Sequence, residues 1–130
     1  MYRQTTHAIE ITVHPAFLDD HSQPESSVYV WSYEVSIANR GPVAVRLLRR
    51  HWRITNALGQ TIEVKGDGVI GNQPLIQPGE TYSYGSFTNL PTASGFMVGT
   101  YQMLVENGES IDVAIPAFSL DSPEQLTRPN

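Results

Sequence analysis

The chain has 130 residues, of which 40% are hydrophobic and 16% are charged. This length suits one ordinary domain and this composition suits a packed interior, which excludes two independent cores and a disordered chain. The formal net charge of -5 argues against a surface built to neutralise nucleic-acid phosphates, and the absence of cysteine excludes disulfides and zinc-thiolate sites.

Nothing in the sequence predicts a membrane segment or an export signal. No apolar stretch approaches the roughly 18 residues that a membrane-spanning helix needs, and residues 1–7 lack the apolar core of a secretory signal. We therefore expect one cytoplasmic domain over residues 1–130. Its core should lie at residues 8–118, and the tail at 119–130, which contains Pro123 and Pro129, should be flexible.

Apolar residues recur at every second position near the start of the chain, which is the pattern of half-buried strands. Residues 9–13 alternate in this way and predict the first strand. Residues 28–39 predict a longer, central core strand. Its inward-facing side chains are Tyr29, Trp31, Tyr33, Val35 and Ile37.

The alternation changes phase within residues 43–54. Apolar residues stand at odd positions up to Leu47 and at even positions from Leu48 onward. A slip of one residue predicts a β-bulge or a strand that bends between two sheets. A turn at residues 56–59 then leads into a short strand at 61–64, and the four glycines and two prolines of residues 66–79 predict a long ordered loop.

Two further segments complete the strand pattern. Residues 80–88 alternate again, with Tyr82 and Tyr84 on one face, and Asn107-Gly108 separates strands at 99–106 and 109–115. This dipeptide predicts a two-residue type I′ hairpin turn. In all, about seven short strands predict an all-β fold, an antiparallel β-sandwich of immunoglobulin or fibronectin type III character.

Several consecutive blocks resemble the bacterial ApaG family. They are residues 47–55 (LLRRHWRIT), 63–74 (EVKGDGVIGNQP), 78–80 (PGE) and 99–103 (GTYQM), and the resemblance extends over residues 13–118. One departure is at residues 84–87, which read YGSF where the family usually shows YTSG. The resemblance implies a fibronectin type III-like sandwich in a cytoplasmic bacterial protein with no assigned enzymatic activity.

The resemblance also implies a binding role. Related domains occur in eukaryotic F-box proteins and in a protein that interacts with DNA polymerase delta, where protein binding is the supposed role. The family name is linked with cobalt and magnesium resistance and with neighbourhood to a diadenosine tetraphosphate hydrolase. Neither association identifies a ligand.

Gly66, Gly68 and Gly71 form a G-x-G-x-x-G pattern. In a dinucleotide-binding fold this pattern opens a helix that holds a pyrophosphate, but Pro74 and Pro78 follow too closely for a helix here. The simplest interpretation is a loop that needs glycine for positive φ. Alternatively, the backbone N–H groups of the loop form an anion-binding nest.

A basic segment accompanies this loop in an otherwise acidic chain. Five of the eight Lys and Arg residues lie within 20 positions: Arg46, Arg49, Arg50, Arg53 and Lys65. Guanidinium groups match phosphate geometry in bidentate fashion, so the segment could supply charge to an anion site. The alternative is a solvated strand face whose cations pair with carboxylates such as Glu63 and Asp67.

Metal and catalytic sites have little support in the sequence. The four histidines share no metal-site spacing, and the loop that contains Asp19, Asp20, His21 and Glu25 is more typical of a hydrated surface than of a magnesium site. No serine lies in a G-x-S-x-G elbow. We expect no cofactor, no metal and no catalytic residue.

We therefore predict a non-enzymatic module that binds an unknown protein partner through residues 66–79 and the strand bearing Arg49 and Arg50. The alternative is binding of phosphate, pyrophosphate or a nucleotide at Gly66, Gly68, Gly71, Lys65 and the neighbouring arginines. Membranes and nucleic acids are not expected as partners, and an oligomer remains open. The aromatic candidates for a contact surface, of which most should be core, are Trp31, Trp52, Tyr82, Tyr84 and Phe87.

Overall fold

A computed structural model describes residues 1–123, which form strands joined by turns. Short 3-10 turns occur at Asp19–His21 and Pro24–Ser26. The strands, in chain order, are β1 (Tyr2–Thr6), β2 (Ile9–Phe17), β3 (Tyr29–Asn39), β4 (Val45–Asn56), β5 (Thr61–Asp67), β6 (Leu75–Ile76), β7 (Thr81–Leu90), β8 (Ser94–Val105) and β9 (Ser110–Asp121). Within these residues no helix is long and apolar enough to cross a membrane.

The strands form two antiparallel sheets, which confirms the predicted sandwich. One sheet has the order β1-β2-β3-β7 and the other has the order β5-β4-β8-β9, with β6 pairing to the start of β4. The described residues form nine strands where about seven were expected, and the two that were not predicted are β1 and β6. Strand β6 lies inside residues 66–79, where only a loop was predicted, and β5 extends three residues beyond the predicted end at position 64.

Strand β1 was not predicted because the turn between β1 and β2 lacks the residues that are usual in hairpin turns. Thr6 pairs with Ile9 across a two-residue turn, and His7 and Ala8 take φ values of 50° and 64°. Such turns normally carry Asn or Gly, which tolerate positive φ. The middle of β1 is polar and exposed, as is usual for an edge strand, so it shows no hydrophobic alternation either.

The core lies between the two sheets and is built from alternate residues of each strand. In β3 every second residue from Tyr29 to Asn39 is buried, as predicted for a central strand. The indole Nε1 of Trp31 donates to the carbonyl oxygen of Asp121 (2.9 Å), which ties the centre of one sheet to the end of β9 in the other. Phe118 and Leu120 are buried.

Strand β9 therefore continues past the predicted core boundary at 118. Residues 119–121 are strand, where a flexible tail was expected, because Leu120 packs in the core and Asp121 accepts the bond from Trp31. Ser119 also contacts the hydroxyl of Tyr2 (2.9 Å). The rest of the predicted tail, residues 124–130, lies outside the described residues.

The hairpin between β8 and β9 is confirmed, but its turn type is not. Gly108 N donates to Val105 O, and Val105 N donates to Glu109 O (both 2.8 Å). These bonds enclose three residues, and Gly108 has positive φ (94°) whereas Asn107 does not. The turn is thus a three-residue loop closed by a glycine bulge, which is the next most common hairpin connection after the two-residue turns.

Among residues 1–123, both sheets end in an unpaired edge strand on the same side of the sandwich. On the other side β1 and β9 are joined by the Tyr2 to Ser119 contact and by a bond from Ala114 N to Thr6 Oγ1 (3.3 Å). The outer strands of the remaining side are β7 and β5. The candidate functional site lies in the opening between them.

Candidate functional site

Strand β4 carries the basic segment, and a bulge divides it into two phases. The register with β8 shifts between Leu47 and Arg49, so that Arg49 pairs with Gln102 and Arg50 pairs with Tyr101. Paired residues of antiparallel strands share a face, and Tyr101 is fully buried. Arg50 therefore points between the sheets, whereas Arg49 points to the solvent.

The loop after β5 is fastened to this bulge. The carbonyl oxygen of Leu48 accepts bonds from Gly68 N (2.8 Å) and from the Gln73 side chain (3.0 Å), and Leu47 N donates to Pro74 O (3.0 Å). The backbone groups that the bulge frees from the ladder are thus satisfied by the loop. As a result, the loop is held along the open side of the sandwich between β5 and β6.

The tip of the loop is a tight turn with a strained residue. Val69 and Asn72 exchange two backbone hydrogen bonds (2.8 and 2.9 Å), and Ile70 and Gly71 between them have φ values of 48° and 76°. A β-branched residue in this region of φ is a genuine outlier. Val69 is buried in the core while 60% of Ile70 is exposed, so the turn holds an isoleucine out at the mouth of the opening.

The three glycines of the G-x-G-x-x-G pattern serve three different purposes. Gly71 and Gly68 take positive φ, as the loop interpretation requires, and a Cβ atom at Gly68 would lie 2.1 Å from Asn72 O. Gly66 has no positive φ. A Cβ atom there would lie 2.8 Å from the guanidinium of Arg50. A tight turn follows β5 where a dinucleotide fold would require a helix.

The guanidinium of Arg50 is held by the backbone of this segment. Its Nη1 donates to the carbonyl oxygens of Asp67 (3.1 Å) and Gly68 (2.8 Å). Within residues 1–123, Nη2 and Nε donate no hydrogen bond. The side chain is therefore fixed at one nitrogen, is half-buried, and retains donors for another group.

We call the opening around this side chain the Arg50 cleft. It has a volume of about 240 Å³. The first sheet contributes Tyr33, Tyr84 and Ser86, the second contributes Arg50 and Asp67, and the loop contributes Ile70.

Tyr33 and Tyr84 line the cleft, and the fully buried Tyr101 adjoins Tyr84. The hydroxyls of Tyr84 and Tyr101 are hydrogen-bonded to each other. Burial raises the pKa of Tyr33, Tyr84 and Tyr101, and the positive charge of Arg50 offsets only part of this effect. The three hydroxyls are thus neutral hydrogen-bonding groups near a fixed cation, a combination that suits a carboxylate or a phosphate.

Arg49 and Lys65 do not join this arrangement. They lie on the outer face of the sheet along a larger groove of about 480 Å³. Arg49 faces Asp67 (3.6 Å), while Lys65 and His51 both face Glu63 (3.9 and 3.2 Å). Exposed pairs of this kind are worth little energy, but they do neutralise the cations of the groove. Arg50 and Gly66 line this groove too, but of the predicted basic residues Arg50 is the one that also lines the Arg50 cleft.

The backbone N–H groups predicted to form an anion nest are mostly occupied. Gly68 N donates to Leu48 O, Val69 N donates to Asn72 O, and Asn72 N donates to Val69 O. Charge in the cleft consequently comes from the Arg50 side chain and not from a ring of loop amides.

The remaining sequence candidates do not assemble into a site. Across residues 1–123, no three His, Asp or Glu side chains group in a way that could hold a metal ion. His21, from the acidic loop, instead stacks on Phe87 with ring centroids 6.5 Å apart. Trp31 and Trp52 are core residues and Phe87 is exposed. The predicted aromatic residues therefore do not combine into one exposed patch.

Comparison with known proteins identifies the family. A sequence model of the ApaG domain matches residues 19–105. The chain belongs to the ApaG domain family. The Protein ApaG of Paramagnetospirillum magneticum (strain AMB-1) is 57% identical over 130 residues, which is all of both chains. That of Rhizobium meliloti (strain 1021) is 56% identical over 123 residues, or 95% of each chain.

Solved structures agree with this membership. The crystal structure of an ApaA protein from Bordetella pertussis is 39% identical and has a TM-score of 0.86, covering 94% of this chain and 96% of that one. The C-terminal domain of wzt, at 8% identity and a TM-score of 0.55 over 92% of this chain and 76% of that one, shares the fold alone. The ApaG fold of the chain is thus seen in an experimental structure of a relative.

Tyr33 and Ser86 of the Arg50 cleft, and Tyr101 next to Tyr84, were not predicted as site residues, although the sequence held a signal for Ser86. After the phase slip at Leu48, even positions of β4 face inward, which places Arg50 with Trp52 and Ile54. The same parity argument places Ser86 beside Tyr84 in β7. Tyr33 and Tyr101 were hidden because buried tyrosines on core strands look like ordinary packing. Only the packing of the two sheets against each other brings these tyrosines close to Arg50.

Proposed function

We propose that the protein is a cytoplasmic, non-catalytic binding module that holds an acidic group of a protein partner in the Arg50 cleft. The observation that carries this proposal is the inward-pointing guanidinium of Arg50, fixed at Nη1 by Asp67 and Gly68 and with donors left at Nη2 and Nε. A half-buried arginine with unused donors is suited to bidentate recognition of a carboxylate.

The size of the cleft supports a small group carried by a larger molecule. Pockets for whole small ligands are usually about 300–1,000 Å³, whereas the Arg50 cleft has about 240 Å³. A single carboxylate side chain or chain terminus fits that volume. The exposed Ile70 at the mouth and the free edge of β7 offer contacts to the polypeptide around it.

The chemistry of the cleft supports binding better than catalysis. Ser86 is the serine that lines the cleft, together with Tyr33, Tyr84 and Arg50. His51, which could act as a base, points to the outer face and pairs with Glu63. A hydrolytic site needs a base within hydrogen-bond reach of the nucleophile.

Affinity capture from native bacterial lysate with matched variants tests the proposal. Arg50→Lys keeps the charge but removes the planar fork, and should lose the captured partner. Arg53→Gln removes a cation from the outer face of the same strand and should retain it. A partner that is captured equally by the wild type and by Arg50→Lys, or no partner above background, would count against the proposal.

A second candidate is a phosphate, pyrophosphate or nucleotide in the same cleft. It is favoured by the match between guanidinium and phosphate geometry, and disfavoured by the occupied N–H groups of the loop. Calorimetry with pyrophosphate, ATP and diadenosine polyphosphates at low salt distinguishes the two, because weak ionic attraction is strongest there. Heat that disappears in Arg50→Gln would favour this candidate over a protein partner.

A further inference from the structure

Strand β5 is an unprotected sheet edge. It pairs with β4 alone, and every residue of Thr61–Asp67 is exposed except Gly66, which is half-buried. An exposed edge strand of this length is a template for pairing with another chain, and proteins usually block such edges with proline, a bulge, a covering segment or charged side chains. In the described part of the chain no proline, bulge or covering segment lies along β5, and its central charges, Glu63 and Lys65, have opposite signs.

The hydrogen-bonding groups that face outward can be assigned from the bonds at its two ends. Gln60 O accepts from Asn56 N (3.0 Å) and Gly68 N donates to Leu48 O (2.8 Å). Because bonding alternates along an antiparallel ladder, even positions of β5 bond to β4. The free N–H and C=O groups therefore belong to the odd positions, Thr61, Glu63, Lys65 and Asp67.

The sequence of this edge is complementary to itself. In an antiparallel pair of two β5 strands centred on Val64, Glu63 stands opposite Lys65 of the second copy, and Lys65 stands opposite Glu63. Both residues are exposed on the outer face, where opposite charges directly across a pair are favourable. They are also odd positions, so each such pair exchanges both of its N–H···O bonds.

The charges also select this register over its neighbours. If a two-fold axis keeps the inner faces of both copies on the same side, one strand can slide along the other only in steps of two residues. Each step moves the axis by one residue, so the neighbouring registers are centred on Glu63 and on Lys65. Either of these registers places a charged residue, Glu63 or Lys65, opposite its own copy, and like charges directly opposite each other are unfavourable. The register centred on Val64 is thus the one among these that pairs unlike charges.

The inner face of the edge has apolar surface to bury. Ile62 is 59% exposed and Val64 is 37% exposed, although both point to the core side of the sheet. Pairing about Val64 brings the two Val64 side chains together and sets Ile62 opposite Gly66, next to the Arg50 guanidinium that lies over this glycine. We propose that the protein forms a two-fold symmetric dimer in which β5 pairs with β5 of a second copy.

Reciprocal charge reversal tests this dimer, and neither Glu63 nor Lys65 lines the Arg50 cleft. Sedimentation velocity of the full chain over a concentration series should show a monomer–dimer equilibrium. Glu63→Lys and Lys65→Glu each set like charges opposite each other, and each should weaken self-association by about tenfold or more. An equimolar mixture of the two variants restores both unlike pairs and should dimerise like the wild type.

The mixture separates a pairing defect from a folding defect. A variant that failed to fold could not recover its dimer on mixing, and circular dichroism confirms that each variant is folded beforehand. The double variant Glu63→Lys/Lys65→Glu also restores both pairs and should dimerise alone. A wild-type chain that stays monomeric to its solubility limit, single variants that dimerise normally, or a mixture that stays monomeric would each overturn the proposal.

Discussion

The guanidinium of Arg50 lies over the backbone of Gly66, and a Cβ atom at position 66 would stand 2.8 Å from its Cζ, Nη1 and Nη2 atoms. The glycine leaves room for the arginine to reach the carbonyl groups of Asp67 and Gly68. Gly66, which looks like a turn glycine in the sequence, thus leaves the space that the Arg50 side chain occupies.

The first prediction follows from this contact. Gly66→Ala should displace the end of a flexible side chain without moving the backbone, so the free energy of unfolding should change by about 1 kcal/mol or less. Partner capture should fall as it does in Arg50→Lys. Gly85→Ala is the control, since a Cβ atom there meets only ordinary contacts at 3.8 Å or more. Normal capture by Gly66→Ala would argue against the role of Arg50.

The second prediction compares two glycines of the same loop. Both have positive φ, but only at Gly68 would a Cβ atom collide with the backbone, 2.1 Å from Asn72 O. Gly71→Ala should cost about 1–2 kcal/mol from conformational strain alone. Gly68→Ala should cost clearly more, because the loop must leave the bulge at Leu48. Equal urea midpoints for the two variants would show that the loop is not held as described.

The third prediction concerns a buried polar residue that joins three segments. Asn39 is 1% exposed, and its amide donates to Val43 O and Ile76 O (both 2.9 Å) and accepts from Gly41 N (3.0 Å). Asn39→Ala leaves these groups unpaired and should cost about 2–4 kcal/mol in chemical denaturation. Asn89→Ala, at an exposed position of β7, should be nearly neutral. Similar losses in both variants would contradict the assignment.

The fourth prediction is a loss of stability at alkaline pH. Burial raises the pKa of Tyr84 and Tyr101 above the ordinary value of 10.0. At pH values well below 10.0, the folded and the unfolded protein both keep the protons of these two hydroxyls, so the free energy of unfolding has its full value. As the pH rises above 10.0, the unfolded chain releases protons that the folded protein keeps, so the free energy of unfolding falls.

Urea denaturation at about pH 9 and pH 11 measures this loss. The double variant Tyr84→Phe/Tyr101→Phe removes both hydroxyls together and leaves no unpaired partner, so its stability should fall less between the two pH values. A decline as steep as that of the wild type would place the alkaline sensitivity elsewhere.

The sequence was sufficient to predict the fold class and the basic residues of β4. It was not sufficient to predict which residues come together in the site. Alternation revealed the core face of β3, and the phase slip revealed the bulge at Leu47. The β1 hairpin was missed because His7 and Ala8 are not turn residues. Arg49 and Arg50 were placed in one site, although adjacent residues of a strand point to opposite faces of the sheet.

The partners of Arg50 could not be read from local pattern for a physical reason. Tyr33 and Tyr84 belong to one sheet and Arg50 to the other, so their proximity depends on how the sheets pack. Similarly, the need for glycine at position 66 arises from a side chain 16 positions away in sequence. Contacts of this kind are properties of the sandwich and not of any one strand.

Nuclear magnetic resonance of the arginine Nε–Hε groups tests the central claim most directly. The wild-type protein would be titrated with acetate and, separately, with pyrophosphate, and the Arg50 signal would be identified by its loss in Arg50→Lys. We predict that this signal shifts saturably with at least one of the two anions while the Arg53 signal stays in place. An Arg50 signal that does not move, or that moves only as much as those of the outer-face arginines, would contradict a binding site in the Arg50 cleft.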